Sequence, residues 1–305
     1  MAVPYDEISS TTRKFYIPKM VDNIFNSNAL FQRSKGKWYQ SVEGGSSIMC
    51  PVLYATTTAS AWYSGEETLD IAANDQETSA EFNWKQIHAS LSIKRIDELK
   101  NSGASQVIDF VKSKVQAAEK TIKDNMGTAL FNAGTDAKAI VGLRSIVNTG
   151  RTYGGINSST YSWWDAQVDS STTTLSLTKM QALYGDCTID NDKPTVAITT
   201  QDIYDDYYGQ LQPQQRFQDD STAKGGFMNL MFNGIPIIVD SHCPSGDLYF
   251  LNENYLSLKY HPKENFRFEP FQKPINQNVA VAHIYWTGAF TCSNPRMQGV
   301  LTAIA

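Results

Sequence analysis

The longest periodic signal in the chain is helical. Val107, Val111, Val115, Ala118, Ile122, Met126 and Leu130 recur at spacings of four or three, the repeat of one helix face. This predicts a helix over 105–132, with Ser105 as N-cap and Asn132-Ala133-Gly134 as its stop. Lys112, Gln116, Lys120 and Lys123 occupy the opposite face, so a single apolar stripe should pack on a sheet. At ~1.5 Å per residue the rod is roughly 40 Å long.

Before it, residues 46–96 read as a long β-ribbon. Ile48, Val52 and Tyr54 open its first strand. Its middle, Ala55 to Gly65, is small and polar, and the return strand alternates at Ala80, Phe82 and Trp84. The apolar parity then switches to Ile87, Ala89, Leu91 and Ile93. A one-residue switch exchanges the buried face, which predicts a bulge or strong twist near Gln86. A two-stranded ribbon of this length is marginal alone, and no other segment obviously covers it.

Residues 1–45 read as an arm, with Val21, Ile24 and Phe25 at helical spacing after Ile17-Pro18 and breaks at Lys35-Gly36-Lys37 and Gly44-Gly45. Residues 135–250 read as an α/β unit. It contains a helix at Thr178–Cys187, a short buried strand at Pro194–Thr199 and a second helix at Gln201–Leu211. An Asn233-Gly234 hairpin then leads into the strand Ile235–Val239. Gln212 to Gly226 reads as a long loop. Leu248–Leu251, Tyr255–Tyr260, Val279–Cys292 and Met297–Ile304 complete the chain as strands separated by Pro262, Pro270, Pro274 and Pro295.

Composition sharpens this picture. Of 305 residues, 41% are hydrophobic, enough for a sizeable core, and only 19% are charged, against about 25% in ordinary soluble chains. Thr, Ser, Asn and Gln number 88, against 57 charged residues, and there are 35 aromatics. That balance excludes intrinsic disorder and has the flavour of large interfaces. The net charge is −5 and no Lys/Arg run occurs, which argues against tight sequence-reading of nucleic acid. The N-terminus lacks a secretory h-region, and no apolar run approaches the ~20 residues of a membrane span. Cys50, Cys187, Cys243 and Cys292 are widely separated, unlike a disulfide scaffold or zinc site, and are expected to be reduced, buried thiols.

The search for chemistry is negative. Phosphate-binding glycine loops and the nucleophile-elbow motif are missing, and Gly154-Gly155 and Gly225-Gly226 read as turns. His88, His242, His261 and His283 have no metal-ligand spacing. Asp190-Asn191-Asp192 lacks the rest of a calcium loop, and the pairs Glu66-Glu67, Asp205-Asp206 and Asp219-Asp220 point apart along any regular element. His242-Cys243 is the nearest approach to a nucleophilic pair, although adjacent residues seldom face each other. The expectation is no catalytic residue, no cofactor and no metal.

The order of segments carries more information: arm, ribbon, long helix, α/β unit, terminal strands. Along it lie Trp62-Tyr63-Ser64-Gly65-Glu66-Glu67-Thr68-Leu69-Asp70, Phe82-Asn83-Trp84-Lys85-Gln86, Ile140-Val141-Gly142-Leu143, Tyr153-Gly154-Gly155-Ile156, Pro213-Gln214-Gln215-Arg216-Phe217 and Tyr249-Phe250-Leu251-Asn252. In this order the chain resembles the major capsid proteins of tailed double-stranded DNA bacteriophages, of the Hong Kong 97-type α+β fold. The resemblance implies an N-arm (1–45), an E-loop ribbon (46–96) laid over a neighbouring subunit, the spine helix of a P-domain (97–134), an α/β A-domain (135–250) and P-domain strands (251–305). It implies a shell of pentamers and hexamers around DNA held non-specifically, with no membrane, found in the virion and assembled in the host bacterial cytoplasm. The arm starts near Met1, so scaffolding, where needed, is expected from a separate protein, alongside portal and decoration proteins.

Trp62 and Tyr63 at the ribbon tip are the first candidate interface anchors, with packing on their own ribbon as the alternative. Glu66, Glu67 and Asp70 are candidate partners for cations of a neighbour, with free solvation as the alternative. Gln214, Gln215, Arg216 and Phe217 are candidates for contacts at the centre of a pentamer or hexamer. The competing readings are an encapsulin-like nanocompartment shell and, more remotely, a hydrolase using Cys243 with a histidine.

Overall fold

The structure is a computed structural model that describes residues 28–71, 74–96, 104–171, 174–211 and 230–304. The elements run in this order: α1 (Ala29–Lys37), β1 (Tyr39–Ser41), β2 (Ile48–Leu53), β3 (Glu77–Phe82), β4 (Lys85–Lys94), α2 (Ala104–Leu130), the one-turn α3 (Leu143–Ile146), β5 (Thr152–Tyr153), β6 (Ile156–Asn157) and β7 (Gln167–Asp169). They continue with α4 (Leu177–Asp186), β8 (Val196–Thr199), α5 (Gln201–Leu211), β9 (Met231–Phe232), β10 (Ile235–Val239), β11 (Leu248–Leu251), β12 (Leu256–Tyr260), β13 (Arg267–Gln272), β14 (Val279–Cys292) and β15 (Gly299–Leu301).

Two sheets organise these elements. In the first, β14 is the central strand. β12 pairs with its C-terminal end, while β4 and β13 pair with the same stretch around Ile284 and so flank it on opposite edges. β1 adds to β12 in parallel. The helix α2 packs against β4. Val115, Ala118, Ile122, Met126 and Leu130 of its expected stripe are buried together with Ala89, Leu91 and Ile93 of β4. The side chains of Val107 and Val111 lie outside the described set. The helix already includes Ser105, and it stops as expected: Gly134 takes φ +76 and donates its N–H to Asn132 Oδ1 at 3.1 Å.

The second sheet has the order β7-β15-β11-β8-β10-β9. Leu248 and Phe250 of β11 face a core shared with Met180 and Leu183 of α4 and Ile203 and Tyr207 of α5. Tyr249 and Leu251 face the core under α2. Burial on both faces explains why Val196–Thr199 and Leu248–Leu251 are buried at every position and carry no alternation. The Asn-Gly turn forms as expected, with φ +48 at Asn233 and +81 at Gly234, the positive pair of a type I′ hairpin.

Three expectations change. The parity switch after Trp84 is not a bulge. β3 ends at Phe82, and β4 starts at Lys85 in a different sheet, so the buried face changes because the partner changes. Accordingly the ribbon proper is only β2 with β3, and β4 belongs to the sheet under α2. Second, Lys35-Gly36-Lys37 does not break the chain; it is the last turn of α1. Third, β15, read with the terminal strands, joins β11 in the second sheet.

After β11 the chain crosses between the sheets twice more, at Asn252–Tyr255 and at Ser293–Gln298. Gln298 ties the crossings together. Its Oε1 accepts the Asn252 N–H at 2.9 Å and its Nε2 donates to the Asn252 carbonyl at 3.2 Å, all fully buried. At the same joint Glu253, its side chain 3% exposed, accepts a bidentate pair of hydrogen bonds from Arg33 of α1, both 2.7 Å. Thr195 donates to the same carboxylate at 3.0 Å.

Candidate assembly surface

The ribbon root is built by alternation. Ile48, Cys50 and Val52 of β2 and Ala80 and Phe82 of β3 are buried, while Met49 and Leu53 on the other face are exposed. The buried face rests on the hairpin β5–β6 of the same chain. Phe82 meets Tyr153 with ring centroids 5.0 Å apart, and the Glu81 N–H donates to the Gly154 carbonyl at 2.9 Å. A Cβ on Gly154 would stand 2.9 Å from Ala80 Cβ, so glycine is what lets the two approach. Tyr54 stacks on Trp163 at 5.2 Å. The root thus has the cover that the sequence seemed not to supply.

Beyond Leu53 and Glu77 no strand forms among the described residues of the tip. Trp62 and Ile71 are almost wholly exposed, at 102% and 91%, and Tyr63 and Leu69 are more than half exposed. The Trp62 side chain buries no surface against its own ribbon, whereas Tyr63 is partly covered. Glu66, Glu67 and Asp70 are exposed beside them, and Glu67 accepts the Ser64 N–H at 3.4 Å. Large exposed apolar side chains gathered on one short segment are the kind of surface that marks an interaction site.

The charge of this segment was not part of the expectation. Between Lys37 and Lys85 the sequence contains no Lys, Arg or His, but seven acids: Glu43, Glu66, Glu67, Asp70, Asp75, Glu77 and Glu81. That exceeds the −5 of the whole chain. The signal needs no structure, only a count between cations. Asp75, Glu77 and Glu81 line a cleft of about 600 Å³ with Tyr54, Tyr161 and Trp163.

A second open surface lies on the first sheet, on the face away from α2. Registered across its strands are Arg267, Tyr285 and His88 in one row and Glu269, His283 and Ser90 in the next. The Arg267 guanidinium lies over the Tyr285 ring, 5.6 Å from its centroid. His88 and His283 have ring centroids 6.4 Å apart, but among the described residues no group of three His, Cys, Asp or Glu is placed to hold a metal ion. Gln214, Gln215, Arg216 and Phe217 lie outside the described residues.

The His242-Cys243 pair is not a nucleophilic dyad. His242 Nε2 contacts Asp124 Oδ1 of α2 at 3.1 Å, while the Cys243 thiol points to the Asp247 carbonyl at 3.6 Å. Burial, and then the charges of Asp247 and Asp240, push that thiol far above its ordinary pKa, the opposite of nucleophile activation. This geometry gives the hydrolase reading no support. All four cysteines are free and buried. Among the described residues no helix is long and apolar enough to cross a membrane.

Residues 54–305 match the family model of the SU10 major capsid protein. The chain belongs to that family. It is a major capsid protein of a tailed phage. The capsid protein of cyanophage A-1(L) superposes with a TM-score of 0.67 at 17% identity, covering 88% of this chain and 92% of that one. The capsid protein of Myoviridae phage XM1 gives 0.59 at 9% identity, covering 91% and 92%. An encapsulin, holo-SrpI from Synechococcus elongatus PCC 7942, gives 0.57 at 11% identity, covering 90% and 87%. No curated protein matches in sequence. The encapsulin shares the fold alone, whereas the family model names a capsid protein, so the capsid reading stands over the nanocompartment one. The Hong Kong 97-type α+β fold expected from segment order is the fold observed. As a member of a capsid family whose structural neighbours are assembled shells, the SU10-type protein is a self-associating virion component.

Proposed function

We propose that the acidic ribbon is the E-loop of this capsid protein and lies over a second copy in the shell. Its aromatic tip anchors there, and its carboxylates face cations of that copy. The observation that carries this is the combination at the tip: fully exposed Trp62 and Ile71 on a projection without a single cation. Buried aromatic anchors dominate interface energies, and a one-sign segment needs an opposite field to settle against. The open face of the first sheet, with Lys94, His88 and Arg267 beside Glu269, is the receiving surface on this reading. Residues 1–45 act as the N-arm, α2 as the P-domain spine, and 135–250 as the A-domain, whose 212–226 loop with Gln214, Gln215, Arg216 and Phe217 faces the centre of pentamers and hexamers.

On this reading the protein's work is its contacts, without a catalytic step. The shell assembles in the host bacterial cytoplasm and holds DNA non-specifically. Separate scaffolding, portal and decoration proteins complete the particle. The test is the double variant Trp62→Ala, Tyr63→Ala, expressed under conditions in which the wild-type chain gives shells by negative-stain microscopy. Folded but unassembled subunits are expected by light scattering. Shells in wild-type yield would overturn the role given to the tip.

A further inference from the structure

One thiol is placed unlike the others. Cys50 Sγ, at the root of the ribbon on β2, lies 3.0 Å from Nζ of Lys259 on β12. The two residues are 209 apart in sequence and belong to two sheets with no backbone pairing between them. Lys259 is half-buried, and among the described residues its ammonium has no carboxylate within ion-pair distance. The thiol is its polar partner. No other described cysteine is hydrogen-bonded to an amine; the Cys243 thiol, for example, points to a carbonyl.

A thiol and an amine held in contact are two reductants sharing one site. Cysteine sulfur oxidised to the sulfenic acid condenses with a neighbouring backbone nitrogen, and an amine held against the sulfur offers a nitrogen in the same way. We infer that Cys50 and Lys259 form an oxidative covalent link, sulfur–oxygen–nitrogen, that locks the ribbon root to the first sheet within one subunit. The oxidant is dioxygen. The cysteine sulfur and the lysine nitrogen each give up two electrons, and dioxygen takes all four. One oxygen atom becomes the bridge. The other leaves as water, with the thiol proton and one amine proton. Where the lysine starts as ammonium, one further proton passes to solvent. The oxygen bridge is preferred to a direct sulfur–nitrogen bond because of distance. An inserted oxygen atom leaves S and N farther apart than a direct bond does, so the bridge asks for the smaller movement from the 3.0 Å contact. Thiol reductants reverse it, returning thiol and amine.

The test uses the full chain, reduced without oxygen and then exposed to air, followed by intact-mass measurement and peptide mapping. The expected result is a gain of about 14 Da, one oxygen added and two hydrogens lost. It should map to a single peptide pair joining Cys50 to Lys259 and should vanish with dithiothreitol. Lys259→Arg, which keeps the charge, should remove it, as should Cys50→Ser. Quantitative alkylation of Cys50 in the unfolded, air-exposed chain would overturn the inference. So would a loss of about 2 Da, two hydrogens with no oxygen gained, whether mapping assigns it to a disulfide from Cys50 to Cys292 or to a direct sulfur–nitrogen bond. Because the readout is mass within one chain, it stands or falls independently of whether the ribbon docks on a neighbour.

Discussion

Glu253 shows how a single side chain can hold the architecture. It sits where the chain passes from the second sheet to the first, and it receives Arg33 from α1, 220 residues earlier. Burial pushes its carboxyl up. The Arg33 hydrogen bonds and charge, with Thr195 and Lys37, more than reverse this and leave it below the ordinary carboxylate range. A carboxyl whose folded pKa is depressed stabilises the fold in full above the unfolded value, near pH 4–5 for Glu, and this stabilisation is lost as pH falls through the lower folded value. Acid should therefore loosen the hold on α1. Glu253→Ala leaves the Arg33 charge partly buried without its partner, and should cost about 2–4 kcal/mol in denaturant unfolding of the unassembled chain. Unfolding curves of wild type and variant should converge as pH drops below 4. The double variant Arg33→Met, Glu253→Met should recover most of the loss, because a buried pair is worth little over apolar contacts of the same size. Curves that stay parallel down to low pH would show that the clamp carries no such weight.

At the scale of elements, what could be read from sequence was what repeats locally. The spacing of Val115, Ala118, Ile122 and Met126 marked α2, and Asn233-Gly234 marked its hairpin, because both signals sit inside one element. What could not be read was which element each would meet. The parity change after Trp84 was visible, but a change of sheet and a bulge leave the same mark on a single strand. The N-terminus of α1 is another case. Asn28 offers no side-chain cap, and the cap comes from Asp240, whose Oδ2 accepts the Leu30 N–H at 3.1 Å. A carboxylate there suits the helix dipole, yet nothing near Ala29 announces it. The exposed tip was legible as Trp62-Tyr63, whereas the cover of the root was hidden in Gly154, which reads as an ordinary turn glycine. Gly154 holds φ +59 and has Ala80 and Phe82 within about 3 Å of where a Cβ would stand. Gly154→Ala should cost about 1–3 kcal/mol through backbone strain and overpacking. It should also raise protease cleavage within 46–84 of the unassembled chain while leaving α2 protected. Unchanged cleavage there would mean that the ribbon root does not depend on this contact.

For the whole molecule the decisive property is where the charge sits. The segment between Lys37 and Lys85 has seven acids and no cation, while the complete chain carries −5; the remainder is therefore slightly positive. On the docking proposed above, a subunit divided in this way attracts another copy in one orientation and repels it ribbon to ribbon, so the same field draws subunits together and orients them. The low overall charge that first suggested interfaces thus hides a polarised building block. Such steering acts over about a Debye length, roughly 10 Å at 0.1 M salt. Neutralising the tip with Glu66→Gln, Glu67→Gln and Asp70→Asn leaves Trp62 and Tyr63 in place and touches no buried group. It should slow assembly followed by light scattering about tenfold at low salt, with the same final shells. Raising the salt should slow the wild type toward the variant and change the variant little. If the two chains assemble at equal rates in low salt, the carboxylates of the tip do not guide the encounter, and the apolar anchors alone carry the contact.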